Sequence, residues 1–255
     1  YVSGVPTLSA TTSTNAMGLY LFENLDPGTY EVKFVTSGSQ LLTKQNVGNT
    51  DADDSDADRT TGLTGQIPLI SGADDRTWDA GIYSLAAVGD RVWHDTNGNG
   101  IQDVGEAGVP GVLVRLANLD TMAISEQTTG NDGIYNFTGL TPGNYRIEVI
   151  PPAGYSFTQP NAGSDINVNS KVEPTTGRMI DFALVSGENN LTKDSGIYRP
   201  AITIKKYTNG EDADAAPGPS ISLNSPVTWT YVITNTGSVV LENLSLVDNM
   251  LQGPV

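Results

Sequence analysis

The chain has 255 residues, a formal net charge of −16 and no cysteine. This acidity excludes a nucleic-acid partner, because nucleic acids select basic surfaces, and the lack of cysteine excludes disulfide crosslinks. No apolar run approaches the length of about 18 residues that indicates a membrane-spanning helix, so no membrane insertion is expected in this segment.

Short alternating segments are separated by Gly and Pro turns, and no apolar stripe recurs at helical spacing. This pattern predicts an all-β chain of tandem Ig-like or B-type β-sandwich modules in a linear array. When disulfides are absent, bound metal ions are one other source of crosslinks. The acidic composition suits an extracellular medium that is rich in divalent cations.

Three motifs occur twice at a constant offset of 115 residues, which indicates tandem modules of that length. The segments 16–20, 25–30 and 71–83 correspond to 131–135, 140–145 and 186–198. The predicted domains are residues 1–86, a first module incomplete at its N-terminal side, residues 87–200, a complete second module, and residues 201–255, the first part of a different Ig-like repeat. The open outer sheets are completed either by the rest of a longer chain, which we favour, or by strand exchange with a neighbouring chain in a fibre.

An acidic stretch in the first module places oxygen-bearing side chains close together along an extended segment. Such a segment could ligate calcium, although acidic runs are also common as solvated, self-repelling loops. Asp79 stands just before a Gly-Ile-Tyr strand, where a simple turn acid is an equally good interpretation. The candidate calcium ligands of the first module are Asp51, Asp53, Asp54, Asp56, Asp58 and Asp79.

The segment from Asp95 to Glu106 fits the twelve-residue calcium loop D-x-[DN]-x-[DN]-G-x5-E at every fixed position. Gly100 stands at the sixth position, where the chain turns sharply. A solvated Asn/Gly/Asp turn is the plainer interpretation, but such a turn does not require an acid at positions 1, 9 and 12 together. The flanking segments read as strands, so we expect the loop to connect two strands. The predicted main calcium ligands are Asp95, Asn97, Asn99, Ile101 through its backbone carbonyl, Asp103 and Glu106.

The second module continues with clean strand alternation, in which Tyr145, Ile147 and Val149 are predicted to face the core. Its counterpart of the first acidic stretch gives Asp165, Asn167, Asn169 and Asp194 as a further candidate calcium site. This site is less well supported, because Lys171 stands where the first module has Asp56. From residue 201 onwards the sequence changes, with predicted strands at 202–207, 227–234 and 239–247.

Residues 88–112, the Asn-Asp-Gly-Ile-Tyr and Pro-Gly-Asn-Tyr elements and Asp-Ser-Gly-Ile-Tyr resemble the SdrD B-like repeats of bacterial surface proteins. These repeats are related to the collagen-adhesin B-type sandwich. The resemblance covers nearly all of residues 1–199 and implies calcium-loaded β-sandwich modules arranged as a stalk outside the cell. The remaining segment resembles part of a second Ig-like repeat of large bacterial surface proteins.

The leading functional hypothesis is therefore a calcium-rigidified stalk or matrix fibre at a bacterial surface. Its partners are neighbouring domains of the same longer chain, with a homopolymer in a fibre as a further possibility. The alternative is an adhesin segment that binds a host or neighbouring-cell ligand. An enzyme is not expected: the single histidine, His94, is interpreted as an exposed turn residue, and the motif G-x-S-x-G does not occur.

Overall fold

A computed structural model describes residues 7–48, 50, 52–212 and 217–248. The described residues form sixteen β-strands and no helix, which confirms the predicted all-β class. A helix of the length and apolar character needed to cross a membrane is accordingly not found in that part of the chain. The chain divides into two compact units, one up to Tyr83 and the other from Ser84 onwards.

The first unit contains short strands and little buried apolar surface. Its strands are β1 (Gly28–Tyr30), β2 (Leu41–Leu42), β3 (Ile67–Leu69) and β4 (Ile82–Tyr83). The pairs β1–β3 and β2–β4 are both antiparallel. The buried apolar residues described in this unit are Leu42, Ala57, Ile67 and Tyr83. So small a core gives the unit little hydrophobic stabilisation of its own.

The second repeat is a two-sheet sandwich. Its strands are β5 (Ala86–His94), β6 (Leu113–Asn118), β7 (Ile124–Thr128), β8 (Ile134–Leu140), β9 (Gly143–Ile150), β10 (Ser156–Phe157), β11 (Phe182–Leu184), β12 (Asn189–Asn190) and β13 (Ser195–Tyr198). One sheet has the order β10-β13-β5-β12, with β8 also paired to β5, and the other has the order β11-β9-β6-β7. Strands β12 and β13 both run parallel to β5.

A single apolar core joins the two sheets of this sandwich. The predicted inward face of β9 is confirmed, because Tyr145, Ile147 and Val149 are 2%, 0% and 1% exposed. Val88 of β5 and Val114 of β6 are likewise fully buried in the same cluster. Burial of each such side chain contributes about 1.5–3 kcal/mol. The core therefore fixes β5 and β6, the two strands between which the 95–106 loop is held.

The third segment forms a separate sheet from β14 (Ile202–Thr208), β15 (Glu211–Asp212) and β16 (Trp229–Asn235), in the order β15-β14-β16. The predicted strands near 202–207 and 227–234 are present. The prediction of a strand at 239–247 is wrong, because the chain forms no strand between β16 and residue 248. Residues 236–238 donate hydrogen bonds back to Ala201 and Arg199 and so do not enter a hairpin with β16.

Candidate metal site

The 95–106 loop leaves β5 and returns towards β6, as predicted, and its two ends are bonded to each other. The His94 amide donates to the Ala107 carbonyl, and the Val109 amide donates to the Val92 carbonyl, both at 2.8 Å. A side chain at Gly108 would place its Cβ 1.8 Å from the Asp132 carbonyl oxygen. The backbones at residues 108 and 132 thus lie too close together for any residue but glycine at position 108. The calcium-loop motif ends at Glu106 and does not specify this glycine.

Asp95 organises the N-terminal half of the loop from a fully buried position, 0% exposed. Its Oδ1 accepts hydrogen bonds from the amides of Gly98 at 2.6 Å and Asn99 at 3.2 Å. Its Oδ2 accepts from the Gly100 amide at 2.8 Å and from the Thr158 hydroxyl at 2.6 Å. Hydrogen bonds to an ionised acceptor are the stronger kind. The carboxylate therefore holds three consecutive amides around itself.

Glu106 closes the other end of the loop and is 8% exposed. Its Oε1 accepts from the Thr96 amide at 2.7 Å and from the Thr96 hydroxyl at 2.9 Å. Its Oε2 accepts from the Asp103 amide at 3.1 Å. The first and last acids of the motif are thus both buried and bonded to amides within the loop.

The middle ligands of the motif converge on the exposed side of the loop. The amide nitrogens of Asn97 and Asn99 each lie 2.8 Å from Oδ2 of Asp103. Rotation of either amide group by half a turn would present its oxygen in place of its nitrogen. Three oxygen-bearing side chains therefore meet at one point, and a hard cation with 6–8 oxygen ligands would need further oxygens beside them.

The donor set fits calcium in type, with carboxylate and amide oxygens and no nitrogen or sulfur ligand. Within the described ranges, no three His, Cys, Asp or Glu side chains gather as a metal cluster. A cation in this loop would therefore need the Asn oxygens and the Ile101 carbonyl as well as the acids. The residues that would hold it are Asp95, Asn97, Asn99, Ile101, Asp103 and Glu106.

Only some of the candidate ligands in the acidic stretch of the first unit lie close together. The amide of Asp79 donates to Oδ2 of the buried Asp56 at 2.7 Å, so these two residues meet. Oδ1 of Asp54 is buried and has no hydrogen-bond partner. Asp53 is exposed, and Asp51 lies outside the described residues.

Asp58 has a different local role in the same stretch. It caps a turn by accepting from the Thr60 amide at 3.0 Å and from the Thr61 amide at 2.8 Å. These hydrogen bonds, those of Thr61 first, lower the pKa of its carboxyl. A residue that is already bonded in this way is a weaker candidate ligand than Asp56.

The candidate set of the second repeat divides into an exposed pair and a buried pair. Oδ1 of Asp165 accepts from the Asn167 amide at 2.9 Å in an exposed turn. Asn169 and Asp194 are 3% and 0% exposed, and neither oxygen of Asp194 has a hydrogen bond of ordinary geometry. Between the two pairs lies Lys171, whose ammonium group bonds to the carbonyl of Ile166 at 2.7 Å.

Burial, and after it the nearby Asp90 carboxylate, raise the pKa of Asp194 to about 8 against the opposing effects of Lys171 and the Arg91 amide. Burial also raises the pKa of Asp90. Sequence reasoning missed both Asp90 and Thr158. Neither lies in a motif, and the only available signal was the acid in the Gly-Asp-Arg segment of β5.

His94 is not an exposed turn residue, and that interpretation is wrong. It is the last residue of β5 and is half-buried, with its ring against Tyr155 at a centroid distance of 5.9 Å. Its Nε2 is buried without a hydrogen-bond partner. The reason is that β5 extends through residue 94 and the loop begins only at Asp95.

Comparison with known proteins identifies relatives of the first two repeats. The family model described as the SdrD B-like domain matches residues 3–82 and 86–197. Serine-aspartate repeat-containing protein F of Staphylococcus epidermidis is 39% identical over 202 residues, which cover 79% of this chain and 11% of that protein. Serine-aspartate repeat-containing protein D of Staphylococcus aureus is 37% identical over 199 residues, which cover 77% of this chain and 14% of that protein. The chain thus spans between a tenth and a seventh of these relatives.

Solved structures show only a distant likeness. The shaft pilin SpaA from Lactobacillus rhamnosus GG is 13% identical with a TM-score of 0.27, over 49% of this chain and 52% of that one. BcpA, the major pilin subunit of Bacillus cereus, is 16% identical with a TM-score of 0.30, over 51% of this chain and 32% of that one. Family membership therefore rests on the sequence matches. They confirm the predicted resemblance and the extracellular location at a bacterial surface: the chain belongs to the SdrD B-like domain family.

Proposed function

We propose that this chain is a segment of a calcium-rigidified stalk at a bacterial surface. Its role is structural and not catalytic. The observation that carries the proposal is the position of the 95–106 loop, which lies at the junction between the second repeat and the third segment. Gly98 of the loop faces Val239, whose Cγ1 would lie 3.0 Å from a Cβ added at Gly98.

The connection between these two modules is held by backbone hydrogen bonds. The amides of Thr236 and Gly237 both donate to the Ala201 carbonyl at 3.0 Å, and the Ser238 amide donates to the Arg199 carbonyl at 3.0 Å. In the other direction, the Arg199 amide donates to the Ser238 hydroxyl at 3.2 Å. A linker bonded along its length differs from a flexible tether, which makes no such contacts.

Calcium would act on this junction through the loop. Without a cation, Asp103 accepts hydrogen bonds from the side-chain amides of Asn97 and Asn99 on the exposed side, and its negative charge repels the other acids of the loop. A bound cation would neutralise these groups and fix residues 97–99 beneath Val239. The neighbouring module would then be restricted in its angle. Neighbouring domains of the same longer chain are the proposed partners, with a homopolymer in a fibre as a further one.

Small-angle scattering of the 255-residue chain, with millimolar calcium and with chelator, tests this function. Chelation should shorten the maximum dimension, increase flexibility and expose residues 51–58 and 95–106 to protease. Asp103→Ala should give the chelated profile even in calcium. Asp120→Ala is the matched control, because Asp120 is an exposed acid outside the loop that bonds the Asn144 amide at 2.8 Å.

A maximum dimension and a protease pattern that ignore calcium in the unmodified chain would reject the stalk mechanism. The adhesin alternative would then become the leading hypothesis. An equal response of the Asp103 and Asp120 variants would show that the calcium effect comes from general charge and not from the loop.

A further inference from the structure

The two SdrD B-like repeats share one backbone frame around their acidic stretches, residue for residue at the offset of 115. The Asn46 amide donates to the Ser55 carbonyl, and the Asn161 amide donates to the Ser170 carbonyl. The Asp56 amide donates to the Asp79 carbonyl at 2.8 Å, and the Lys171 amide donates to the Asp194 carbonyl at 2.9 Å. The turns that follow also correspond: the Gly62 amide donates to the Asp58 carbonyl, and the Gly177 amide donates to the Glu173 carbonyl.

The side chains of the two stretches differ in charge: residues 50–58 contain five acids and no base, a net −5, whereas residues 165–173 contain two acids and one lysine, a net −1. Four acids of the first repeat are replaced in the second by two apolar residues, an amide and an ammonium. The formal charge at these positions changes from −4 to +1, a difference of five units. The pairs are Asp51 and Ile166, Asp53 and Val168, Asp54 and Asn169, and Asp56 and Lys171.

The ammonium of Lys171 is surrounded by oxygens of its own loop. It donates to the Ile166 carbonyl at 2.7 Å, to the Asn169 carbonyl at 3.2 Å and, in a shorter contact, to Oδ1 of Asn169. These acceptors match the three donors of an ammonium group. Burial lowers the pKa of Lys171, whereas the neighbouring Asp194 and Asp165 raise it, and the ammonium group of Lys193 is also close.

We propose that the ammonium of Lys171 takes the place of a bound metal ion in the second repeat, so that its 165–171 loop closes without calcium. A cation in such a loop collects backbone carbonyls and a side-chain oxygen, and Lys171 collects the same kinds of atoms. In the first repeat the equivalent position holds Asp56, and the buried Oδ1 of Asp54 stands where Asn169 bonds the ammonium. The contrast with the first repeat rests on the calcium ion that the sequence predicts for its acidic stretch.

This built-in cation also supports the main calcium loop. The Gln102 amide donates to the Val168 carbonyl at 2.7 Å, and the Ser170 amide donates to the Gly100 carbonyl at 3.1 Å. Residues 165–171 thus form one wall of the 95–106 loop. Because Lys171 is covalently attached, that wall is in place before calcium arrives.

Two measurements on the full 255-residue chain test the inference. In calcium titration calorimetry, Asp194→Asn should bind the same number of ions as the unmodified chain, because Lys171 and not a metal ion is the cation whose charge acts on Asp194. In chelator, Lys171→Met should increase amide hydrogen exchange in residues 165–171 by about tenfold or more, through local opening of the loop. Lys193→Met is the matched control and should leave that exchange unchanged, because Lys193 instead lies 4.2 Å over the Phe182 ring.

The loss of one calcium ion in Asp194→Asn would overturn the inference, because it would make Asp194 a metal ligand. Unchanged exchange of the 165–171 amides in Lys171→Met would overturn it as well. The two proposals fail separately: unchanged calcium binding in Asp103→Ala would reject the main site and leave the role of Lys171 intact.

Discussion

Replacement of Asp95 separates the structural role of the 95–106 loop from its proposed calcium role. The buried carboxylate accepts four hydrogen bonds, from the amides of Gly98, Asn99 and Gly100 and from the Thr158 hydroxyl. A hydrogen bond to a charged group contributes about 1.5–3 kcal/mol. The contributions do not add fully, because burial of the carboxylate has its own cost and the freed amides become hydrated when the loop opens. We therefore expect Asp95→Ala to lower the free energy of unfolding of the second repeat by about 3–5 kcal/mol even in chelator.

Asp103→Ala is the matched comparison within the same loop. Asp103 is exposed and accepts hydrogen bonds from two side-chain amides, so its loss in chelator should cost less than about 1 kcal/mol. In calcium both variants should also lose the stabilisation supplied by the ion, which is about 2.7 kcal/mol at a concentration one hundred times the Kd. Asp103→Ala would then differ from the unmodified chain mainly when calcium is present.

Hydrogen exchange of the β5 and β6 amides, with and without chelator, measures both effects. These amides belong to the core of the second repeat and report its unfolding. Two results would contradict this expectation: a cost of less than about 1 kcal/mol for Asp95→Ala in chelator, or equal destabilisation of the two variants there. Either result would mean that the buried carboxylate does not hold the loop.

Three other outcomes are expected. Gly108→Ala should lower the free energy of unfolding by about 3 kcal/mol or more, because the new Cβ would lie 1.8 Å from a backbone oxygen, whereas Gly65→Ala, with no atom within 4 Å, should have little effect in thermal melts. Lys206→Met should speed hydrogen exchange in β14 and β16, since it removes the 2.6 Å ion pair with Asp248, and unchanged exchange would contradict this role. Residues 1–86 expressed alone should melt without cooperativity because so few apolar residues are buried there, and a sharp cooperative melt would show that this unit has a sufficient core.

The local patterns of the sequence determined much of the fold. The alternation of Tyr145, Ile147 and Val149 was sufficient to predict the inward face of β9, because the side chains of a strand alternate between its two faces. The spacing from Asp95 to Glu106 predicted a sharp turn that connects two strands. Both predictions rely on residues that are close in the chain, where spacing and backbone geometry fix the side-chain directions.

Other features were decided only by tertiary structure. The Thr158 hydroxyl reaches Asp95 from 63 residues away, and Asp90 approaches Asp194 because β5 and β13 pair in parallel. Lys171 appeared in the sequence only as an exception to the acidic pattern. Its role depends on three oxygens gathered by the fold of the loop. Contacts between distant segments depend on how strands pair and pack, and no local spacing specifies that arrangement.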